Sequence, residues 1–154
     1  MEESNATTVD WLNLRQRGLK QLTREIGILM TILDQTTWEG TAHDVTATLS
    51  QDKTWTAAAF DATSGEVVGM GTVSVLRTFH GVEARIDNMV VRPEYHGSGA
   101  ANQIMAMLTE RARAEGAAWA ELTCGRQRRR ARAFYTKHGF VETLGGVFQK
   151  SFVD

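Results

Sequence analysis

The sequence is poor in the residues that staple or punctuate a chain, with one cysteine, Cys124, and one proline, Pro93, among 154 residues. A lone cysteine forms no internal disulfide, and no second cysteine joins the four histidines in a zinc cage, so no disulfide scaffold and no metal site are expected. That usage fits a reducing compartment. Net charge is nearly absent as well: 17 Lys+Arg against 18 Asp+Glu give a formal charge of -1. The chain as a whole therefore has no general attraction for nucleic acid or an anionic membrane. Long hydrophobic runs are missing too, since the longest, Ile26 to Leu33, is far short of the ~20 residues of a membrane span. The acidic start Met1-Glu2-Glu3 is the opposite of a signal-peptide n-region, and a cytoplasmic location is expected. Asn5-Ala6-Thr7 matches a glycosylation acceptor, which in a cytoplasmic chain is coincidence.

What is present is an ordinary globular composition, 42% hydrophobic and 23% charged. The length suits a single domain over residues 1–154 that buries roughly two-thirds of its unfolded surface. Alternation near Thr7 to Leu14 fits a short strand or a helix start. Leu19, Leu22, Ile26, Leu29, Met30 and Leu33 recur at spacings of three and four, predicting a helix, and a shorter one is expected over Thr41 to Leu49. Thr54 to Phe60, Val67 to Phe79 and Val82 to Val91 read as three antiparallel strands, joined by the turn-rich Asp61-Ala62-Thr63-Ser64-Gly65 and by His80-Gly81. A helix from Ala100 to Glu115, a strand from Ala118 to Cys124 and a helix from Arg129 to His138 follow, and two strands, Phe140 to Glu142 and Val147 to Phe152, close the chain. The expected class is α/β (α+β), a mixed, mostly antiparallel sheet of six to seven strands flanked by about four helices.

The most informative stretch is Val90-Val91-Arg92-Pro93-Glu94-Tyr95-His96-Gly97-Ser98-Gly99-Ala100-Ala101, a strand that ends at Pro93 and runs through small residues into a helix. Successive backbone N–H groups at such a helix start suit a phosphate, although Gly97 and Gly99 equally fit a turn that holds no ligand. No Gly-Lys-Ser/Thr follows, so it is not a Walker loop, and the preceding meander is not the βαβ unit of a dinucleotide fold.

These residues resemble the GNAT superfamily of acyl-CoA-dependent N-acyltransferases. The pyrophosphate-binding Arg/Gln-x-x-Gly-x-Gly/Ala turn of that family is matched by His96-Gly97-Ser98-Gly99-Ala100-Ala101 after the lead-in from Val91 to Tyr95. Downstream, Ala131-Arg132-Ala133-Phe134-Tyr135-Thr136-Lys137-His138-Gly139-Phe140 is similar to its Ala-x-x-Phe-Tyr-x-x-x-Gly-Phe. Glu121-Leu122-Thr123-Cys124 before an Arg-rich helix start looks like the small-amine branch, which includes aminoalkylphosphonate and glucosamine-phosphate N-acetyltransferases. There are departures: His96 stands for the usual Arg or Gln, Ala100 for a bulky aliphatic, Ala101 for a second Gly, and Arg128 for an Asn that touches pantetheine in many members. A histidine in that place would make pyrophosphate binding weaker or pH-dependent.

The resemblance implies acetyl-CoA as co-substrate, a small primary amine as acceptor, and direct transfer in a ternary complex. It places the cofactor against Met89, Val90, Val91, His96, Gly97, Ser98, Gly99, Ala100, Ala101, Asn102, Arg128, Phe134 and Tyr135. Tyr135 matches the family tyrosine that protonates the departing thiolate, its alternative being a plain core tyrosine. Backbone N–H on the strand Asn88 to Val91, at Met89 first, is the expected oxyanion donor, because the family docks pantetheine as a pseudo-strand there. Asp87 is the first candidate for the general base, against an ordinary surface charge; Glu121, His80 and a chain of waters are weaker ones. Relatives often dimerise, so a homodimer is a further expectation. Two rival readings stay open, acetylation of a protein N-terminus or lysine, and an acyl-CoA sensor without turnover.

Three features lie outside those motifs. Arg126, Arg128, Arg129, Arg130 and Arg132 form the densest charge cluster, read as a solvated helix face or as anion recognition; the interleaved aromatics that RNA binding wants are absent. Cys124 is a small structural thiol or a transient acyl carrier. Trp38 and Glu39, after the first helix, wall an amine pocket or simply pack.

Overall fold

A computed structural model of the chain describes residues 5–15 and 17–153, so the acidic start Met1-Glu2-Glu3 lies outside the described residues. The chain divides into two compact units, Met1–Thr123 and Cys124–Asp154.

The first unit holds β1 (Thr7–Trp11), α1 (Leu19–Asp34), α2 (Ala42–Leu49), β2 (Thr54–Asp61), β3 (Val67–Thr78), β4 (Gly81–Val91), a 3-10 helix (Pro93–Tyr95), α3 (Ala100–Ala114) and β5 (Trp119–Glu121). The five strands lie in sequence order in one sheet, β1 to β4 antiparallel and β5 parallel to β4. Ala57, Ala58 and Ala59 of β2 are all fully buried, as is most of β3 from Val67 to Val73, so the sheet is covered on both faces. Side chains alternate between those faces. Ala58, Met70 and Val90 pack with Leu22 and Leu29 of α1 and Val45 of α2, whereas Ile104 and Leu108 of α3 lie over Gly71 on the other side. Ile104, Met105 and Leu108 are all but inaccessible, and each contributes about 1.5–3 kcal/mol by leaving water.

Local chemistry explains the joints. The Asp44 carboxylate accepts from the Thr41 N–H at 2.7 Å and from its hydroxyl at 3.1 Å, which caps α2. Asp61 accepts from the N–H groups of Thr63 and Ser64 at 2.8 and 2.7 Å, closing the turn between β2 and β3. α1 is tied to the sheet by a buried carboxylate: Glu25 accepts from Arg17, from Gln21 Nε2 at 2.9 Å and from the Val67 N–H at 3.2 Å. Leu19, the first apolar residue of the expected stripe, sits in the opening turn of α1 and is exposed.

The second unit contains α4 (Arg129–Lys137), closed by the Gly139 N–H on the Thr136 carbonyl and the Phe140 N–H on the Tyr135 carbonyl. Here the sequence reading needs correction. Among the described residues no strand follows β5, so the sheet has five strands and not six to seven, and β5 itself is shorter than Ala118 to Cys124. The two strands expected over Phe140 to Glu142 and Val147 to Phe152 are irregular chain with Val141, Leu144, Val147, Phe148 and Phe152 exposed. Alternating β-formers supply propensity, but a strand exists only against a ladder partner, and Gly145-Gly146 weakens this run further.

Candidate active site

β4 and the turn after it form one continuous apparatus. Beyond the 3-10 helix, Gly97 and Gly99 take φ of 89° and 85°, a left-handed backbone that costs a glycine nothing, and Gly99 caps α3. The Ser98 hydroxyl accepts from the Ala100 N–H at 3.2 Å, and the Ser98 N–H donates to the Tyr95 carbonyl at 3.1 Å. Among the described residues no group accepts from the N–H of Gly97, Gly99 or Ala101. Three such donors at the positive end of a 15-residue helix are what a phosphate takes. Ala100 is buried, and Asn102 is exposed in the first helical turn. His96 is exposed, and its ring is tethered to the strand before the turn. Its Nε2 lies 3.0 Å from the Val91 carbonyl and must donate to it, so the imidazole closes the end of β4.

A spine behind the turn fixes it. The Tyr95 hydroxyl donates to Asp61 Oδ2 at 2.7 Å, which together with the Ser64 N–H, the larger influence, holds the Asp61 carboxyl down at about 2. The same bond pushes the Tyr95 hydroxyl up to about 12.

Within β4 the register slips. Met70 pairs with Val90 and Thr72 with Asp87, so Asn88 and Met89 together face the single Gly71. Asn88 accommodates the bulge at φ 58°, a conformation that asparagine tolerates better than most side chains. Gly71 is required there, because a Cβ on it would overlap the Met89 sulfur and come within 2.9 and 3.0 Å of Ile104 and Leu108. β5 pairs only with Glu83, Ala84 and Arg85, which leaves the far edge of β4 from Ile86 to Val91 without a strand beside it among the described residues. Val90 and Val91 are buried. Asp87 shares its sheet face with its partner Thr72, and both its oxygens accept from Arg85 Nε, at 3.2 and 3.1 Å. The weaker base candidates are remote from the bulge along β4: Glu121 pairs in register with Arg85 and is exposed, and His80 lies at the hairpin end.

On the α1–α2 face of the sheet, a cavity of about 450 Å³ reaches Asn88 at the bulge. Ile26 and Met30 of α1 supply apolar wall, and Thr56 and Thr72, whose buried hydroxyls are 2.9 Å apart, supply a polar floor. Trp38, Glu39 and Asp44 also line it. The Trp38 indole lies against Gly27 and Gly40, where a Cβ on Gly40 would overlap the ring. Asp44 is held below its ordinary value, chiefly by the Thr41 N–H.

The second unit carries the phenol. Tyr135 stacks edge-on with Phe134, centroids 5.5 Å apart, and with Phe140 at 6.0 Å, while Phe134 also meets His138 at 4.5 Å. Burial pushes the Tyr135 hydroxyl above its ordinary value; the nearby Cys124 adds to this and Arg128 opposes it. The arginine cluster divides: Arg132 donates to Glu142 at 2.6 Å and Arg126 approaches the same carboxylate at 3.9 Å, whereas Arg128, Arg129 and Arg130 are exposed with no ion pair among the described residues. Cys124 is half-buried. Among the described residues no three His, Cys, Asp or Glu side chains converge as a metal site would require, and no helix is long and apolar enough to cross a membrane.

The model of the acetyltransferase (GNAT) family matches residues 25–140. An aminoalkylphosphonate N-acetyltransferase from Salmonella typhimurium is 36% identical over 84 residues, covering 52% of this chain and 53% of that protein; the chain thus aligns with about half the length of this curated relative. Among solved structures, an aminoglycoside acetyltransferase from an uncultured soil metagenomic sample superposes with a TM-score of 0.79 at 14% identity, over 97% of this chain and 98% of that one. A glucosamine-6-phosphate N-acetyltransferase from Arabidopsis thaliana gives 0.74 at 18% identity, over 96% and 99%. At these identities the structures speak for the fold.

Proposed function

We propose, from the premise that this chain belongs to the acetyltransferase (GNAT) family, that it transfers the acetyl group of acetyl-CoA to the primary amine of a small metabolite. One observation carries the reading: residues 86–102 join an open strand edge, a two-residue bulge and a row of N–H donors in one run, with a cavity opening at Asn88. An extended pantetheine arm adds to an open edge as a strand would, and a diphosphate suits the turn. The cavity on the other side of the bulge is then the acceptor pocket. Residues 1–154 would form one such domain, located in the cytoplasm as the single cysteine suggests.

Acetyl-CoA supplies the acetyl group as an activated thioester. The bulged backbone at Met89 offers its N–H to the developing oxyanion. Asp87, directly or through water, takes the proton the attacking amine must lose. Tyr135 supplies a proton to the sulfur as the new C–N bond replaces C–S; this role rests on its match to the family tyrosine and on a hydroxyl that burial keeps protonated.

Release of free thiol from acetyl-CoA, measured over a panel of small amines beside a panel of peptides, tests the assignment, and turnover of small amines is expected. Activity confined to peptides would make this a protein acetyltransferase, and coenzyme A binding without any turnover would make it a sensor. Asp87→Asn is expected to lower kcat/KM near neutrality by about a hundredfold and to remove the rise of rate with pH. A preserved profile would assign the proton to water or another group.

A further inference from the structure

We propose that the acceptor cavity selects amines bearing a second positive charge and rejects those bearing a phosphate or phosphonate. This rests on the transferase reading above and goes beyond it to the class of acceptor.

Among the described residues the only ionisable side chains lining the cavity are two carboxylates, Glu39 and Asp44; no lysine, arginine or histidine lines it. The Thr41 N–H keeps Asp44 ionised, and both Thr41 bonds fall on Oδ2. Trp38 shares the lining with these carboxylates, its indole confined by Gly27 and Gly40 and its backbone N–H donating to Thr31 Oγ1 at 3.2 Å. A lining that combines an indole with two carboxylates suits an ammonium group, by cation–π attraction and by charge-assisted hydrogen bonding.

The polarity of the cavity gives the acceptor a direction. Its reactive nitrogen belongs at Asn88, where the bulge and the Thr56–Thr72 hydroxyls lie, and its distal end belongs with Trp38, Glu39 and Asp44. A dianionic phosphonate at that distal end would face two carboxylates with no cation of the lining to offset them. Ile26 and Met30 add apolar wall to the same lining, which suits a short alkyl chain. The volume, about 450 Å³, falls within the range of small-molecule pockets. The phosphonate acceptor in the name of the Salmonella relative is therefore not the acceptor class this lining favours.

Three amines of matched length separate the possibilities: diaminopropane, aminopropanol and aminopropylphosphonate. In the thiol-release assay with the whole chain and acetyl-CoA, kcat/KM is expected to fall in that order, by about tenfold for each step, the scale of one charge-assisted contact. Glu39→Gln is expected to raise the diaminopropane KM by about tenfold and to narrow its lead over the phosphonate correspondingly. Equal or better use of the phosphonate, or a ratio indifferent to Glu39→Gln, overturns the proposal. Calorimetric binding of the same three amines keeps the test independent of turnover. Preferential binding of diaminopropane without thiol release would uphold the charge preference and overturn the transferase reading, whereas turnover with the order reversed would do the opposite.

Discussion

Tyr135→Phe is expected to lower turnover by about tenfold to a thousandfold while leaving coenzyme A affinity unchanged, the span that loss of a general acid produces. The substitution isolates the hydroxyl, because a phenylalanine keeps the ring that stacks on Phe134 and Phe140. Burial raises the Tyr135 hydroxyl above its ordinary value of 10, so the proton is in place throughout the neutral range and is lost only as pH rises beyond that value. A fall of rate at lower pH therefore belongs to another group. The measurement is kcat at saturating acetyl-CoA beside calorimetric affinity for coenzyme A, and an unchanged kcat removes Tyr135 from the chemistry.

The second large effect is on stability. Glu25→Ala is expected to cost about 3–5 kcal/mol, the penalty for breaking a buried ion pair by removing one partner. The Glu25 side chain is fully inaccessible and that of Arg17 only 14% exposed, so neither charge is relieved by water. Loss of the carboxylate also leaves the Val67 N–H and Gln21 Nε2 without their acceptor. For a chain of this size the change amounts to a drop in Tm on the order of ten degrees or more. Denaturant unfolding of the two proteins measures it directly, and a loss under about 1 kcal/mol would mean the pair adds little beyond a surface bridge. The consequence reaches the cavity, because Ile26 and Met30, which line it, follow Glu25 on α1. Glu25→Gln, which keeps the side-chain shape, should fall between.

Much of the fold was legible because it is local. The period of α1, the turn residues at 61–65 and the small residues at 96–101 act within a few positions of each other, and the elements they predict are present with shifts of one or two residues at most ends. The candidate turn was legible for the same reason, since its geometry follows from Gly97 and Gly99. What was hidden depends on partners distant in sequence. The closing strands fail because propensity does not supply a ladder. The bulge is set by Gly71 yielding room to Met89, a fact of register between β3 and β4 that neither strand displays alone. The signal in the sequence is an asparagine inside the strand, opposite a Gly-Met-Gly run. Trp38 and Glu39, wall candidates in the sequence, both line the cavity, whereas Asp44 and the Thr56–Thr72 pair read in the sequence as a cap or as ordinary strand residues.

The hydrogen bond from Tyr95 to Asp61 works as a latch on the segment that precedes the turn, and its two halves titrate at opposite extremes. The acceptor sits at about 2, below its ordinary 3.8, so the stabilisation is complete above that ordinary value and is lost only as acidity carries the pH down through about 2. The donor keeps its proton up to about 12. Between those limits the latch carries constant charge, and acid or alkali that a living cell tolerates leaves it shut.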